Sequence, residues 1–283
     1  MYDKYLEQIS TEGKLRNLKE RSILCYQSYV SYFLKYVNKN PEELTCEDVR
    51  QFLLAKKEEG LKASTLNLYN SAIRFFYRRV LRILWDDVLV PRMILDPHLP
   101  SVLTLEEVNH LLDATSDLKY RAIFATMYSS GLRVSETVNL HYDDISRSKM
   151  RIHVRKTKNR LDRYTILSHK NLEILSEYWF SNNKPRDVLF PNKWTGQPIG
   201  VGSVGQVMRR SVLDAGLIGK ITPHSLRHSF ATHLMEAGVE RQNIQALLGH
   251  RDPKSTDIYL HVSNKSVMGI ISPFDKKGDE NHE

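Results

Sequence analysis

The chain has 283 residues, 41% of them hydrophobic, and a formal net charge of +8. This length accommodates two domains, and the positive charge favours a polyanionic partner, nucleic acid first and a membrane surface second. Only Cys25 and Cys46 occur, which excludes a disulfide framework and favours the reducing cytoplasm. No apolar run approaches the ~20 residues of a membrane span, and the N-terminus lacks the layout of a signal peptide.

Residues 1–95 are predicted to form a nearly all-helical domain. Apolar residues recur at helical spacing over Glu20–Val37. A Thr45-x-x-Asp48 sequence resembles a capping box and predicts a second helix to about Glu59. A long third helix is predicted from Ser64 or Thr65 to about Leu84.

Three arginines of that long helix, Arg74, Arg78 and Arg82, recur every four residues. They are predicted to form one basic stripe, which suits phosphate contacts along a groove. The alternative is a solvated helix face with salt links. Both interpretations remain open from the sequence.

A proline-containing stretch over 90–102 begins a new compositional regime, because Pro91, Pro97 and Pro100 discourage helix. We place an interdomain linker at 96–102 and a second domain at 103–283. A Thr104-x-x-Glu107 capping box predicts the first helix of that domain, to about Ala114.

The next helix is predicted from about Lys119 to Ser130, where Gly131 ends it. Arg133 starts the following helix, and Glu136 lies one turn further on. The pair is either an ordinary surface ion pair or a guanidinium held in place by a carboxylate.

Residues 150–167 alternate in polarity like two strands joined by a turn, which predicts a β-hairpin. The stretch from Arg147 to Arg163 holds eight Lys or Arg residues against one acid, Asp162. It is the densest positive run in the chain, and we expect it to lie against DNA. Beyond it, Ser168 is predicted to cap a helix to about Phe180.

The stretch 222–261 predicts three short helices that carry most of the chemistry. Thr222 and Pro223 suit the start of the first helix. Its apolar face is predicted to be buried and comprises Leu226, Phe230, Leu234 and Ala237. The opposite face carries His224, Arg227, His228 and Ala231. His224 and His228 also have metal-ligand spacing, but no acid accompanies them as in H-E-x-x-H, so metal binding is not favoured. His233 is interpreted as a core histidine.

The second helix is predicted from Arg241 to Leu248, with Gly249 as its terminator. His250 follows in a tight link, and Tyr259 falls two turns into the third helix. Arginine offers a planar charged fork for phosphate, histidine exchanges protons near neutral pH, and tyrosine is a possible covalent nucleophile. The set predicts attack on a phosphodiester without a metal.

Four ordered motifs carry a family resemblance. Ser130-Gly131-Leu132-Arg133-Val134-Ser135-Glu136 fits a G-L-R-[IV]-S-E box, and His224-Ser225-Leu226-Arg227-His228 fits an H-x-L-R-H box. Leu248-Gly249-His250 fits an L-G-H box, and Tyr259 lies nine residues beyond His250. In this order the chain resembles the tyrosine recombinase (phage integrase) family.

The resemblance implies a mainly α chain with a small β-hairpin (α+β). It comprises a helical core-binding, SAM-like domain and a catalytic domain. It also implies a set of catalytic residues: Arg133, Lys158, His224, Arg227, His250 and Tyr259. Lys156 rivals Lys158, because the hairpin turn differs in length from the common K-G-x-x-K-x-R form. No cofactor or metal is implied, and the chain holds no G-x-x-x-x-G-K-[ST] loop.

The implied partners are double-stranded DNA sites, with four protomers acting on two of them. The apolar residues after Tyr259 are expected to dock on a neighbouring protomer or on their own domain; they are Val262, Val267, Met268, Ile270 and Ile271. Two alternatives remain: a type IB topoisomerase, which relaxes one duplex, and a DNA-binding relative without catalysis.

Overall fold

The structure, a computed structural model of the chain, describes residues 2–95, 101–155, 162–249 and 272–275. The chain divides into two units, Met1–His98 and Leu99–Glu283. Helices make up most of each, and a small antiparallel sheet lies in the second. None of the described helices combines the length and apolarity that crossing a bilayer requires. The predicted mainly α class with a small β element is confirmed.

Four α-helices of residues 2–95 pack around one apolar core. They are α1 (Asp3–Leu15), α2 (Glu20–Val37), α3 (Cys46–Glu58) and α4 (Ala63–Phe76). Their contact buries Val30, Phe33, Phe52, Ile73 and Phe76 completely. The predicted bounds of α2 are confirmed, and so is the capping box of α3: the Thr45 N–H donates to the Asp48 carboxylate at 2.8 Å.

The prediction of one long helix to Leu84 is wrong. The α-helix gives way after Phe76 to a π-helical turn, Tyr77–Leu81, and Arg82 has a left-handed φ of +59°. The Tyr77 ring lies in the core, where its hydroxyl donates to the Thr45 carbonyl at 2.9 Å. Because Arg82 leaves the helix and Arg74 pairs with Asp87 at 2.8 Å, the arginines do not form one regular stripe.

The second unit is built around a buried helix. Its helices are α5 (Leu105–Ala114), α6 (Leu118–Ser130), α7 (Val134–Thr137), α8 (His169–Ser181), α9 (Val201–Asp214), α10 (Pro223–Glu236) and α11 (Arg241–Leu248). Every residue of α6 from Ala122 to Ser130 is buried, and α8 and α10 pack on it. The predicted helix at 119–130 is therefore confirmed as the central helix of this unit.

Three antiparallel strands form the sheet, in the order β1 (Ile145–Ser146), β2 (Arg151–Val154) and β3 (Arg163–Ile166). β2 and β3 pair as the predicted hairpin, with Ile152 opposite Thr165. The Thr165 hydroxyl donates to the Ser130 carbonyl at 2.7 Å, which joins β3 to the end of α6. The short β1 is an addition that the sequence did not predict.

The residues predicted to cap helices of the second unit are confirmed. At α5, the Thr104 N–H donates to Glu107 at 2.8 Å, and at α8 the Asn171 N–H donates to the Ser168 hydroxyl at 3.0 Å. The predicted bounds of α11 and its terminator are also confirmed.

The faces of α10 differ from expectation at two positions. Leu226, Phe230 and Leu234 are buried as predicted, but Ala237 is exposed because the helix has already ended there. On the opposite face, Arg227 is only 2% exposed, because other parts of the unit fold over it.

A short piece near the C-terminus packs on its own unit. The Ser272 hydroxyl donates to the Ser129 carbonyl at 2.9 Å. The Asp275 carboxylate accepts from the N–H groups of His169 and Lys170 at 3.0 and 3.1 Å, at the start of α8. The apolar residues between Tyr259 and Ser272 lie outside the described residues, so their predicted docking remains open.

Candidate active site

The end of α6 brings the first arginine box against α10 and α11. Gly131 has a left-handed φ of +64°. A Cβ on it would lie 2.5 Å from Cδ1 of Phe230 and 2.9 Å from Cδ2 of Leu248. Glycine is thus required both for the turn and for the close approach of α10 and α11. The turn places Arg133 directly before α7.

The carboxylate of Glu136 is the centre of the site. Its Oε1 accepts from Arg133 Nη1 at 2.9 Å, and its Oε2 accepts from the Arg133 backbone N–H at 3.0 Å. Arg163 binds the same group in a fork, with Nη2 at 2.8 Å from Oε2 and Nη1 at 3.2 Å from Oε1. The carboxylate of the predicted Arg133–Glu136 pair is therefore buried, since Glu136 is only 4% exposed, while Arg133 remains partly exposed.

Burial and the neighbouring arginines together determine the ionisation of Glu136. Burial alone raises the pKa of a carboxyl group, but hydrogen bonds and charge from Arg163 and then Arg133 outweigh it and lower the pKa of Glu136 to about 2. The group is therefore an anion at neutral pH.

Arg227 reaches the same centre from α10. Its Nη1 donates to the Gly131 carbonyl and its Nη2 to the Leu248 carbonyl, each at 2.6 Å, and Nη1 lies 3.6 Å from Glu136 Oε2. Arg133 Nη1 lies 3.4 Å from the same Leu248 carbonyl. Arg133 and Arg227, which the motifs predicted as catalytic residues and which lie 94 positions apart, therefore converge on Glu136 and the Leu248 carbonyl.

Gly249, at the end of α11, closes the described part of the site. Gly249 ends α11 with a φ of +61°, and a Cβ on it would lie 2.9 Å from Cδ of Arg163. The Leu247 carbonyl accepts from Arg163 Nε at 2.8 Å. Arginine donors thus occupy the last carbonyls of α11, where helix geometry leaves acceptors without intrahelical partners. This anchors the chain directly before position 250.

His224 lies at the exposed start of α10, with its ring 4.4 Å from that of His228 and nearly perpendicular to it. Partial shielding from solvent, followed by the charges of His228, Arg227 and Arg133, lowers the pKa of His224. The imidazole is therefore neutral at pH 7 and able to accept a proton.

His233 was interpreted as a core residue, but it is only partly buried. Its Nδ1 lies 2.8 Å from the hydroxyl of the buried Tyr128. Within the described ranges, no group of three or more His, Cys, Asp or Glu side chains is arranged to hold a metal ion.

The basic hairpin is only partly available to a ligand. Arg163 is turned into the protein, with 10% of its side chain exposed. Arg155 binds the buried Asp144 at 2.6 Å, and the Arg151 guanidinium lies 4.0 Å from the Tyr164 ring centroid. The expectation that the whole run lies against DNA is therefore wrong for Arg163. The sequence feature that could have indicated a role for Arg163 in the site is the final arginine of the K-G-x-x-K-x-R form.

Three residues of the predicted set, Lys158, His250 and Tyr259, lie outside the described residues, and so does the rival Lys156. Their roles stay predictions. The described part of the chain contributes Arg133, Arg227 and His224 from that set, together with Glu136 and Arg163.

Comparison with known proteins decides the family. Residues 5–87 match the phage integrase N-terminal SAM-like domain, and residues 101–266, more than half of the chain, match the phage integrase family. The chain belongs to the phage integrase family. As a member, it is a tyrosine-type site-specific recombinase, which confirms the family resemblance that the sequence motifs indicated.

Similar proteins span most of the chain. A putative integrase/recombinase, y4qK of Sinorhizobium fredii, is 37% identical over 271 residues, 95% of this chain and 88% of the relative. Tyrosine recombinase XerC of Halalkalibacterium halodurans is 33% identical over 243 residues, 78% of this chain and 79% of the relative. A crystal structure of a lambda integrase tetramer bound to a Holliday junction shares the fold with a TM-score of 0.71 at 18% identity, over 88% of this chain and 77% of that one.

Proposed function

We propose that this family member breaks and rejoins double-stranded DNA through a covalent 3′-phosphotyrosine at Tyr259. The observation that carries the proposal is the convergence of Arg133 and Arg227 on Glu136 and the Leu248 carbonyl. Two guanidinium groups held together in this way match the two non-bridging oxygens of one phosphate. Charge develops on those oxygens in the transition state, so fixed cations there lower the barrier.

The chemical steps balance without a cofactor. The Tyr259 oxygen attacks the scissile phosphorus in line, and the bond to the 5′ oxygen breaks. His224 takes the phenolic proton as general base, and Lys158, or Lys156 in its place, protonates the leaving 5′ oxygen. His250 donates a hydrogen bond to the phosphate. The phosphotyrosyl bond conserves the energy of the broken one, so no ATP is needed. A 5′ hydroxyl of the partner strand then attacks the phosphorus, the phosphotyrosyl bond breaks, and the Tyr259 oxygen regains its proton from His224.

The assembly follows from the fold shared with lambda integrase, which is known as a tetramer on a Holliday junction. We assign four protomers of this chain to two DNA sites, with residues 1–95 and 103–283 each contacting DNA and 96–102 joining them. We assign the chain to the cytoplasm, because that reducing compartment contains DNA and keeps thiols such as those of Cys25 and Cys46 free.

The test is a nicked suicide duplex incubated with the full chain and scored for a covalent protein–DNA adduct. Wild type should form the adduct, Tyr259→Phe should not, and Tyr142→Phe, the same change at a half-exposed tyrosine stacked on Trp179, should behave as wild type. An adduct that persists in Tyr259→Phe contradicts the assigned nucleophile.

Two further measurements separate the alternatives. Exchange between two duplex sites identifies a recombinase, whereas relaxation of a single supercoiled duplex without exchange identifies topoisomerase-like action. Retained DNA binding with no adduct from wild type would indicate a non-catalytic relative.

A further inference from the structure

Arg163 lies in the site but outside the set of catalytic residues that the family resemblance implied. All three kinds of guanidinium nitrogen are committed: Nη1 and Nη2 to Glu136, and Nε to the Leu247 carbonyl. Its side chain is 10% exposed, which is half the exposure of the Arg133 side chain. These contacts hold the guanidinium group between α7 and the end of α11.

The groups that bind Arg163 also bind, or lie next to groups that bind, Arg133 and Arg227, the two arginines predicted to contact the phosphate. Glu136 Oε1 is shared between Arg163 and Arg133, and Oε2 between Arg163 and the Arg133 backbone. The carbonyl next to that of Leu247 is the Leu248 carbonyl, the acceptor for Arg227. Arg163 therefore determines the plane of the carboxylate against which Arg133 is oriented, and holds the end of α11 beside it.

We propose that Arg163 is a positioning residue for strand transfer. With Glu136, it holds Arg133 and the end of α11 in the geometry that binds the scissile phosphate. The proposal rests on the proposed function, since it assigns Arg133 to that phosphate. It adds a residue outside the predicted set, and it makes the hairpin strand β3 a structural part of the phosphate site.

The guanidinium shape is what the position needs. Three directional donors in one plane contact two carboxylate oxygens and a carbonyl at once, whereas a lysine supplies one compact point charge. A Cβ at position 249 would lie 3.0 Å from both Nε and Nη1 of Arg163, so the fork packs against the backbone of Gly249. Arg163→Lys keeps the charge but cannot reproduce this arrangement.

The test is a double-mutant cycle on the cleavage rate of the suicide duplex at saturating protein, with the Kd for the uncleaved duplex measured in parallel. Arg163→Lys should slow cleavage about 10- to 100-fold, the effect of a small displacement of a catalytic group, and change the Kd less than about threefold. In an Arg133→Lys background the same change should cost less than about threefold. The control Arg121→Lys alters an arginine that donates to the Thr115 carbonyl and should cleave as wild type.

A role in folding alone predicts a different pattern. Wild-type cleavage by Arg163→Lys, or a loss that multiplies fully with that of Arg133→Lys, overturns the positioning role. If Arg163→Lys does not fold, Arg163→Gln, which keeps one amide donor, enters the same cycle. Failure of wild type itself to form an adduct would instead refute the proposed function, so the two failures are distinguishable.

Discussion

Replacing Glu136 with glutamine tests the centre of the site most directly. The change keeps the size of the side chain but removes the negative charge that Arg133, Arg163 and Arg227 surround. Glutamine also presents an NH2 donor where an acceptor now stands, so one of the guanidinium donors loses its partner. Removing one partner of a buried ion pair leaves an uncompensated charge in a poorly hydrated place.

The size of the effect follows from the pKa of the group. The fall in the pKa of Glu136 from 4.5 to about 2 means that the folded chain favours the ionised form. Since each pKa unit corresponds to about 1.4 kcal/mol, this preference contributes roughly 3 kcal/mol to the free energy of unfolding. Because the folded pKa is the lower one, the contribution is complete above pH 4.5 and is lost as the pH falls towards 2.

The measurement is urea unfolding of the full chain at several pH values. Glu136→Gln should lower the free energy of unfolding of the second unit by roughly 3 kcal/mol at pH 7, and the difference from wild type should shrink to roughly 1 kcal/mol near pH 3. Hydrogen exchange of α6 and α10 peptides assigns the loss to that unit. The exposed Glu177→Gln on α8 is the control, expected within about 0.5 kcal/mol of wild type. A loss below about 1 kcal/mol at pH 7, or one that grows below pH 4.5, would refute the buried-anion explanation.

Two other outcomes are expected. Gly131→Ala should destabilise the chain by about 3 kcal/mol or more in thermal unfolding, because a Cβ there meets the Phe230 ring at 2.5 Å; Gly216→Ala has a similar φ of +66° with no atom within 4 Å and should cost only about 1 kcal/mol. Equal losses for the two glycines would show that close packing at Gly131 is unimportant. Because the pKa of His224 is lowered, single-turnover cleavage should stay level as the pH falls through 6.5 and decline only in more acid solution. His224→Gln should remove that decline and slow cleavage about 100-fold or more, while His228→Gln keeps the decline; an acid limb at or above pH 6.5 in wild type would argue against His224 as the base.

The sequence alone determined the features whose causes are local. Capping boxes join residues three apart, as at Thr45 and Thr104, and the glycines after α6 and α11 end their helices by backbone conformation. The alternation of polarity that predicted the β2–β3 hairpin is likewise a local property of the sequence. The motif boxes combined these local signals with chemistry, so the amino-acid sequence was sufficient to indicate the family and to select Arg133 and Arg227.

Tertiary structure decided the features that depend on distant partners. Arg163 stands in a basic run that suggested a DNA-facing surface, yet it turns inward to Glu136, 27 positions away, and to the Leu247 carbonyl, 84 positions away. The π turn after Phe76 places Tyr77 so that its hydroxyl reaches the Thr45 carbonyl, and Asp275 caps a helix that starts more than 100 residues earlier. A charged side chain is buried only where several segments supply its hydrogen-bond partners together, and neither spacing nor composition encodes which segments will meet.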